Sequence, residues 1–389
     1  MSTPRLTESV ISCQADIAAA RRLVIKVGSS SLTTLDGGIS VEALNLLVDS
    51  VQILREQGTQ VVLVSSGAIA AGLAPLGLST RPHDLATQQA AAAVGQGLLL
   101  AHYSHAFSSH RTTVSQVLLT VEDLIRRTQY TNALRALEKL LSLDAVPVVN
   151  ENDAVATHEI RFGDNDRLAA LTANLIRADG LILLSDVDAL YDGPPEKGGQ
   201  PVRTVSGPAD LQGVTLGRRG KAGVGTGGMV TKVEAAGITA NNGIPAMLTS
   251  AAQAAALFRG EPVGTFFQAT GRRRGARSAW LAHLAHVKGR LTIDAGAVRA
   301  VVEARRSLLP AGITTVDGEF EASDPVEVAG PDGVVRARGL VGFAAHELPA
   351  MLGRTTAELG ERLGPDYQRP VIHTDDMVRL AAAVPAPQR

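Results

Sequence analysis

Cysteine is nearly absent from this chain: Cys13 is the single one among 389 residues. An internal disulfide is therefore excluded, and the usage suits a reducing cytosol. Aromatic residues make up only 3%, too few to supply a base-stacking platform for RNA. Neither sign of charge dominates. Lys and Arg number 37 against 38 Asp and Glu, for a net charge of −1, so no global field draws the chain to nucleic acid or to a membrane. Long apolar runs are missing too. The longest, Ala90 to Ala101, is interrupted by Gly95, Gln96 and Gly97 and falls short of the roughly 20 residues that span a bilayer. The N-terminus has no signal-peptide core, so a cytoplasmic location is expected. His102, His105 and His110 lack a carboxylate or thiolate signature around them, so no protein metal site is expected there.

What the chain does contain is alternation. Over its first 270 residues, short apolar runs alternate with amphipathic stretches. Leu23 to Val27, Val61 to Val64, Thr113 to Leu119, Val146 to Val149 and Leu181 to Leu184 read as buried strands. Val41 to Gln57 reads as a helix with Leu44, Leu47, Val51 and Leu54 on one stripe and Gly58 past its end. Asp166 to Ala178 reads as another helix, closed by Gly180. The pattern predicts an α/β fold with a mostly parallel central sheet sandwiched by helices. Ligands of such sheets bind beyond the carboxyl ends of the strands, so Lys26, Ser66, Asn150 and Ser185 should share one edge. The texture changes at Gly271-Arg-Arg-Arg-Gly-Ala-Arg-Ser278. The expected organisation is an N-terminal extension (1–20), a first domain (21–270), a Gly/Arg linker (271–286), a small β-rich domain (287–378) and a C-terminal tail (379–389). Turns at Asp317-Gly318, Asp332-Gly333 and Arg338-Gly339 mark the second domain.

Two glycine-rich turns about 200 residues apart each carry a lysine. In Leu23-Val-Ile-Lys26-Val-Gly28-Ser-Ser-Ser31 a strand ends in lysine and then breaks. In Gly225-Thr-Gly-Gly-Met-Val-Thr-Lys232 glycines lead into a helix. Both offer backbone N–H groups and one mobile positive charge, which is what a phosphate needs. Neither fits G-x-x-x-x-G-K-[ST], so a P-loop is excluded. Val64-Ser-Ser-Gly-Ala-Ile-Ala-Ala-Gly72 places Ser66 and the N–H groups of Gly67 and Ala68 where a carboxylate could sit, although Ser66 could equally cap a helix. Val149-Asn-Glu-Asn-Asp153 follows a strand, and Phe162-Gly-Asp164-Asn165-Asp166 precedes a helix. These carboxylates and amides could hold an ammonium group, a metal-bound nucleotide or the lysines, or only shape a turn and a helix start. Ser185-Asp186 could line a nucleotide. Two half-sites that can close on one polyphosphate suggest phosphoryl transfer.

Taken together, Lys26-Val-Gly-Ser, Ser65-Ser-Gly-Ala-Ile-Ala-Ala-Gly72, Val146-Pro-Val-Val-Asn-Glu-Asn-Asp-Ala-Val-Ala-Thr157, Phe162-Gly-Asp-Asn-Asp166 and Gly225-Thr-Gly-Gly-Met-Val-Thr-Lys232 closely resemble the bacterial glutamate 5-kinases, from about Arg21 to Met377. The resemblance implies an amino-acid kinase fold (an αβα sandwich) followed by a PUA domain. It implies that Lys26, Thr226, Gly227, Gly228, Met229, Val230, Thr231 and Lys232 bind the phosphates of ATP, and that Ser185 and Asp186 contact the nucleotide. Ser66, Asp153 and Asn165 would bind L-glutamate. Asp166 would orient the two lysines, completing a catalytic set of Lys26, Lys232 and Asp166. The resemblance also implies Mg2+, a place in proline biosynthesis, feedback inhibition by proline, a dimer or tetramer, and handover of a labile acyl phosphate to glutamyl-phosphate reductase. Ser31, Val230 and Ser185 depart from residues common in the family, but backbone N–H groups would do most of the binding there.

An acceptor carboxylate is already ionised at neutral pH and needs no general base. The difficulty is bringing an anion to a polyanion, which two lysines would offset. Val287 to Arg389 holds 12 Lys and Arg against 14 Asp and Glu, a weak footprint for RNA, so a structural or regulatory role is expected of the second domain. The rival readings are a kinase acting on N-acetylglutamate, aspartate or carbamate, and an RNA-binding protein with a kinase-like sensor half.

Overall fold

A computed structural model describes residues 11–34, 38–120, 123–124, 127–155, 165–212, 214, 228–271, 281–282 and 287–380. The chain divides into two compact units, Met1–Ala276 and Arg277–Arg389. The strands of the first are β1 (Arg22–Val27), β2 (Gln60–Ser65), β3 (Val114–Leu119), β4 (Val146–Glu151), β5 (Gly180–Ser185), β6 (Leu190–Tyr191), β7 (Pro201–Val202), β8 (Thr204–Val205), β9 (Ala246–Ser250) and β10 (Thr265–Phe267). Its helices are α1 (Val41–Glu56), α2 (Ala68–Leu73), α3 (Leu85–Ser108), α4 (Arg127–Ser142), α5 (Asn165–Leu175), α6 (Met229–Asn241) and α7 (Ala254–Phe258). Among the described residues the main sheet runs β3-β4-β2-β1-β5-β9-β10-β8. Its neighbours are parallel except β9 and β10. β6 and β7 form a separate antiparallel pair.

The pleat decides which side each β1 residue faces. Leu23, Ile25 and Val27 enter a core cluster with Leu44, Leu47 and Val51 of α1, Leu99, Tyr103 and Phe107 of α3, and Leu257 and Phe258 of α7. Lys26, one residue out of step, faces the other side, where α5 and α6 pack together. Because helices cover both faces, β1, β2, β4 and β5 are buried along nearly their whole length. The apolar stripe of α1 is buried as its spacing predicts, and Ser40 caps the helix by accepting the Ala43 N–H at 3.2 Å.

The stretch Ala90–Ala101 lies within α3 and meets α2 through glycine. A Cβ at Gly72 would sit 1.9 Å from the Ala91 carbonyl oxygen, and one at Gly95 would sit 1.7 Å from that of Ala68. Only residues without side chains allow these two backbones to touch. Among the described residues, no helix is long and apolar enough to cross a membrane.

One helix boundary differs from the sequence expectation. The helix expected over Asp166 to Ala178 ends at Leu175. The chain turns through Arg177 at φ 52°, and Gly180 opens β5 opposite Leu23 rather than closing the helix. A Cβ at Gly180 would lie 3.2 Å from Leu23 and 3.3 Å from Ile11, so a side chain there would press on both. From Ile11 onward, the segment before Arg21 packs into the first unit. Ile11, Ile17 and Ala20 join its core, and Gln14 Nε2 donates to the Glu261 carbonyl at 2.9 Å. The backbone N–H and hydroxyl of Ser12 hold the Asp16 carboxyl down to about 2.

The second unit contains β11 (Gly289–Ile293), β12 (Ile313–Gly318), β13 (Pro325–Ala329), β14 (Val335–Leu340), β15 (Met377–Arg379) and helix α8 (Thr356–Leu363). Its sheet runs β12-β11-β13-β14-β15, antiparallel except between β11 and β13. Leu291, Val326, Val328, Leu348, Met351 and Leu359 belong to its core. The Asp332-Gly333 turn joins β13 to β14, with Gly333 at φ 74°. Asp317-Gly318 instead ends β12, and Arg338-Gly339 lies inside β14, opposite Glu327 and Val326. Gly339 is small because a Cβ there would meet Ile372 at 2.5 Å. Glu327 sits between Arg290 at 2.8 Å and Arg338 at 3.2 Å on the flanking strands, a cross-strand charge ladder. Apart from Gly271, the glycine/arginine stretch lies largely outside the described residues.

Candidate active site

The parallel register assembles the site. Val27 stands beside Ser65 and Leu184, and Val64 beside Val149. Lys26, Asn150 and Ser185 in the last two residues of β1, β4 and β5, and Ser66 just past β2, therefore share the carboxyl edge of the sheet. In open α/β sheets this is where ligands bind.

Asp166 is the centre of the charged part. It is the second residue of α5 and has no solvent exposure. Lys26 Nζ lies 2.7 Å from its Oδ1, and Lys232 Nζ 3.3 Å from its Oδ2. Both lysine side chains are buried, at 5% and 9% exposure. Thr231, beside Lys232 on the first turns of α6, donates its hydroxyl to Asp166 Oδ2 at 2.9 Å, with the Gly228 carbonyl as an alternative acceptor at the same distance. Among the described residues, these two ammonium groups around one carboxylate leave a surplus of one positive charge. Away from bulk water that surplus attracts an anion far more strongly than the same charges would on the surface.

The uncharged part lies at the β2–α2 turn. Gly67, at φ 107°, stands at the N-cap position of α2, a backbone conformation that glycine adopts without strain. Ser66 is thus not the helix cap. Its Oγ accepts from Asn165 Nδ2 at 3.0 Å, which joins two of the expected acceptor-binding residues. Asn165 Oδ1 is buried with no hydrogen-bond partner among the described residues, an acceptor left over for a donor. Asp153 lies in the turn after β4 and is half-buried. Ser185 is buried at the end of β5 and donates to Asp186 Oδ1 at 3.0 Å, while Asp186 is exposed. Met229 and Val230 open α6 after Gly228. Asp164, Thr226 and Gly227 lie outside the described residues.

Three residues behind this edge are not singled out by sequence motifs. Tyr103 is fully buried, with its hydroxyl 2.9 Å from Ser65 Oγ, and burial holds its phenol above the usual pKa, so it stays neutral. The buried amide of Gln96 joins the buried Asn150 to Gln116, which is itself exposed. The available signal was Gln96 itself, a lone amide within an apolar run, which when buried requires a partner. Of the histidines, His102 and His105 lie on α3, and His110 meets Asp49 at 2.8 Å after its end.

The model of the amino acid kinase family matches residues 21–250, and that of the PUA domain matches residues 289–362. Glutamate 5-kinase of Salinispora arenicola is 60% identical over 365 residues, covering 94% of this chain and 99% of the relative. The glutamate 5-kinases of Thermobifida fusca and Streptomyces avermitilis are 57% and 59% identical, each across 94% of this chain and 95% and 98% of the relatives. This chain belongs to the glutamate 5-kinase family. The family is one of amino-acid kinases carrying a C-terminal PUA domain, and its members are phosphotransferases. The α/β sandwich and the antiparallel-rich second unit described above are those two parts.

Proposed function

We propose that this chain transfers the γ-phosphoryl group of ATP to the side-chain carboxylate of L-glutamate, giving ADP and L-glutamyl 5-phosphate, the first step of proline biosynthesis. The observation that carries the reading is the buried Lys26–Asp166–Lys232 cluster at the carboxyl edge of the sheet. In the proposed reaction a carboxylate oxygen attacks the γ-phosphorus while the bond to the β–γ bridging oxygen breaks, and ADP leaves with that electron pair. No proton has to be removed from the nucleophile. The chain must instead offset repulsion between the acceptor and the phosphates. Lys26 is assigned to the attacking and transferred groups, Lys232 to the leaving β-phosphate, and Asp166 to holding both ammonium groups in place.

Among the described residues, no cluster of three His, Cys, Asp or Glu could cage a metal, and both Asp166 oxygens face lysines. Mg2+ would arrive on the phosphates with its own water, its usual mode with nucleotides. The amides at the start of α6 and the Ser185–Asp186 edge are assigned to ATP. Ser66, Asn165 and Asp153 are assigned to glutamate, with the open Asn165 Oδ1 and the Asp153 carboxylate as partners of its α-ammonium.

ADP release measured with glutamate, N-acetylglutamate, aspartate and carbamate tests the reading, and turnover of glutamate alone is expected. In Lys232→Ala, kcat is expected to fall about 10²–10³-fold with KM for ATP little changed. A raised KM for ATP with kcat intact would show that Lys232 contributes only to binding. In Asp153→Asn, KM for glutamate is expected to rise about 10–100-fold, from loss of a charged hydrogen bond, while KM for ATP stays within about twofold. Equal changes in both constants would remove Asp153 from the acceptor subsite.

A further inference from the structure

We infer that Gln96 is a positioning residue for the acceptor half of the site, holding the end of β4 in register with the Ser66 turn. The inference rests on the glutamate reading above. β2 pairs with β4 only at Leu63–Val148 and Val64–Val149, whereas β3 continues beside β4 as far as Glu151. Past Val149, then, β4 has lost its partner on the β2 side, and its main-chain groups there need other partners.

Amides supply them. Asn150 Oδ1 accepts the Glu151 N–H at 2.9 Å, and Gln96 Nε2 donates to the Glu151 carbonyl at 3.2 Å. Gln96 Oε1 accepts from Asn150 Nδ2 and from Gln116 Nε2, each at 3.3 Å. Gln96 is 8% exposed, and both ends of its amide are spent on β3 and β4. Packing alone would accept a hydrocarbon of that size, so the amide is explained by what it holds.

The neighbouring residue strengthens the argument. Gly95 abuts the Ala68 carbonyl and the Gly72 N–H, where a Cβ would lie at 1.7 and 2.7 Å. Consecutive residues of α3 therefore touch the helix that follows Ser66-Gly67 and grip the strand that precedes Asn152-Asp153. The pair sets the spacing between the two loops that carry Ser66 and Asp153, both assigned to glutamate.

Steady-state kinetics of the full chain, with thermal unfolding in parallel, test this. Gln96→Met keeps the volume and removes every hydrogen bond. Its KM for glutamate is expected to rise about tenfold or more, with KM for ATP within about twofold. In Gln96→Glu the ionised carboxyl cannot donate to Glu151, but protonation restores a donor, and burial raises the pKa of such a group. The glutamate KM of Gln96→Glu is therefore expected to improve from about pH 8 to about pH 6, relative to wild type. The inference is overturned if Gln96→Met leaves both KM values unchanged or moves them together. Should Gln96→Met not fold, a glutamate KM of Gln96→Glu that fails to improve as pH falls overturns it. Wild-type protein inactive on glutamate would refute the functional reading before any variant is compared.

Discussion

Replacing Asp166 with asparagine is expected to cost both stability and turnover, and ATP is expected to return part of the first. Asn keeps the shape but not the charge. Two ammonium groups, 5% and 9% exposed, would then face each other without the carboxylate that lies 2.7 and 3.3 Å from them. Removing one partner of a buried ion pair costs about 3–5 kcal/mol, because the other charge stays desolvated. Here one carboxylate serves two cations, so the upper part of that range is expected. The Thr231 hydroxyl would also lose an acceptor. With the lysines misplaced, kcat is expected to fall about 10²–10³-fold, as when an electrostatic donor is removed from a reacting centre. Phosphates can replace the missing negative charge, so MgATP should narrow the gap in melting temperature between variant and wild type. Calorimetry with and without MgATP, beside initial rates, checks this. A variant that melts like wild type without nucleotide would show that Asp166 is not the charge balancing the lysines.

Gly95→Ala is expected to be the most damaging one-methyl substitution in α3. Two effects oppose each other. Alanine is favoured over glycine in a helix by about 1 kcal/mol. Against this, the added methyl would sit 1.7 Å from the Ala68 carbonyl oxygen and 2.7 Å from the Gly72 nitrogen. Both obstacles are main chain, so no side chain can swing away. Overpacking of cores costs about 1–3 kcal/mol and sometimes more, and a clash with backbone belongs at the upper end. The clash wins, for a net loss of about 2 kcal/mol or more. Relief requires α2 to move, and α2 carries the Ser66-Gly67 turn with it, so KM for glutamate should rise as well. Gly97 provides the control. A Cβ there meets nothing within 4 Å, so Gly97→Ala should gain up to about 1 kcal/mol. Urea unfolding of both variants decides the matter, and equal midpoints would mean that the α2–α3 contact gives way easily.

The sheet was legible in the sequence because its strands are buried on both faces and read as unbroken apolar runs. Once those runs were placed as parallel strands, Lys26, Ser66, Asn150 and Ser185 had to share an edge. Lys232 could be placed as well, since glycines before a helical pattern put it on the first turns of α6. The role of Gly180 was not legible, because a helix-ending glycine and a glycine that makes room for Leu23 and Ile11 look alike in one dimension. Gly339 was misplaced as a turn for the same reason. The amide cluster escaped because its members come from α3, β3 and β4, and only the fold brings Gln96, Gln116 and Asn150 together. Ser66 looked like a helix cap until Gly67 took that position, which left the Ser66 hydroxyl for Asn165.

The segment from Ile11 to Ala20 has a consequence for where the first unit begins. Ancestry and folding draw that border at different places: the family match opens at residue 21, yet the apolar interior already includes Ile11 and Ile17. These two side chains close over Leu23, Gly180 and Phe266 without leaving room for a water molecule. The segment is a plug made of local sequence, seated on a strand whose far end carries Lys26. A cut or fusion joint placed at the homology border would therefore pull the stopper from the sheet and wet β1 at one end while the Lys26–Asp166 pair stays at the other.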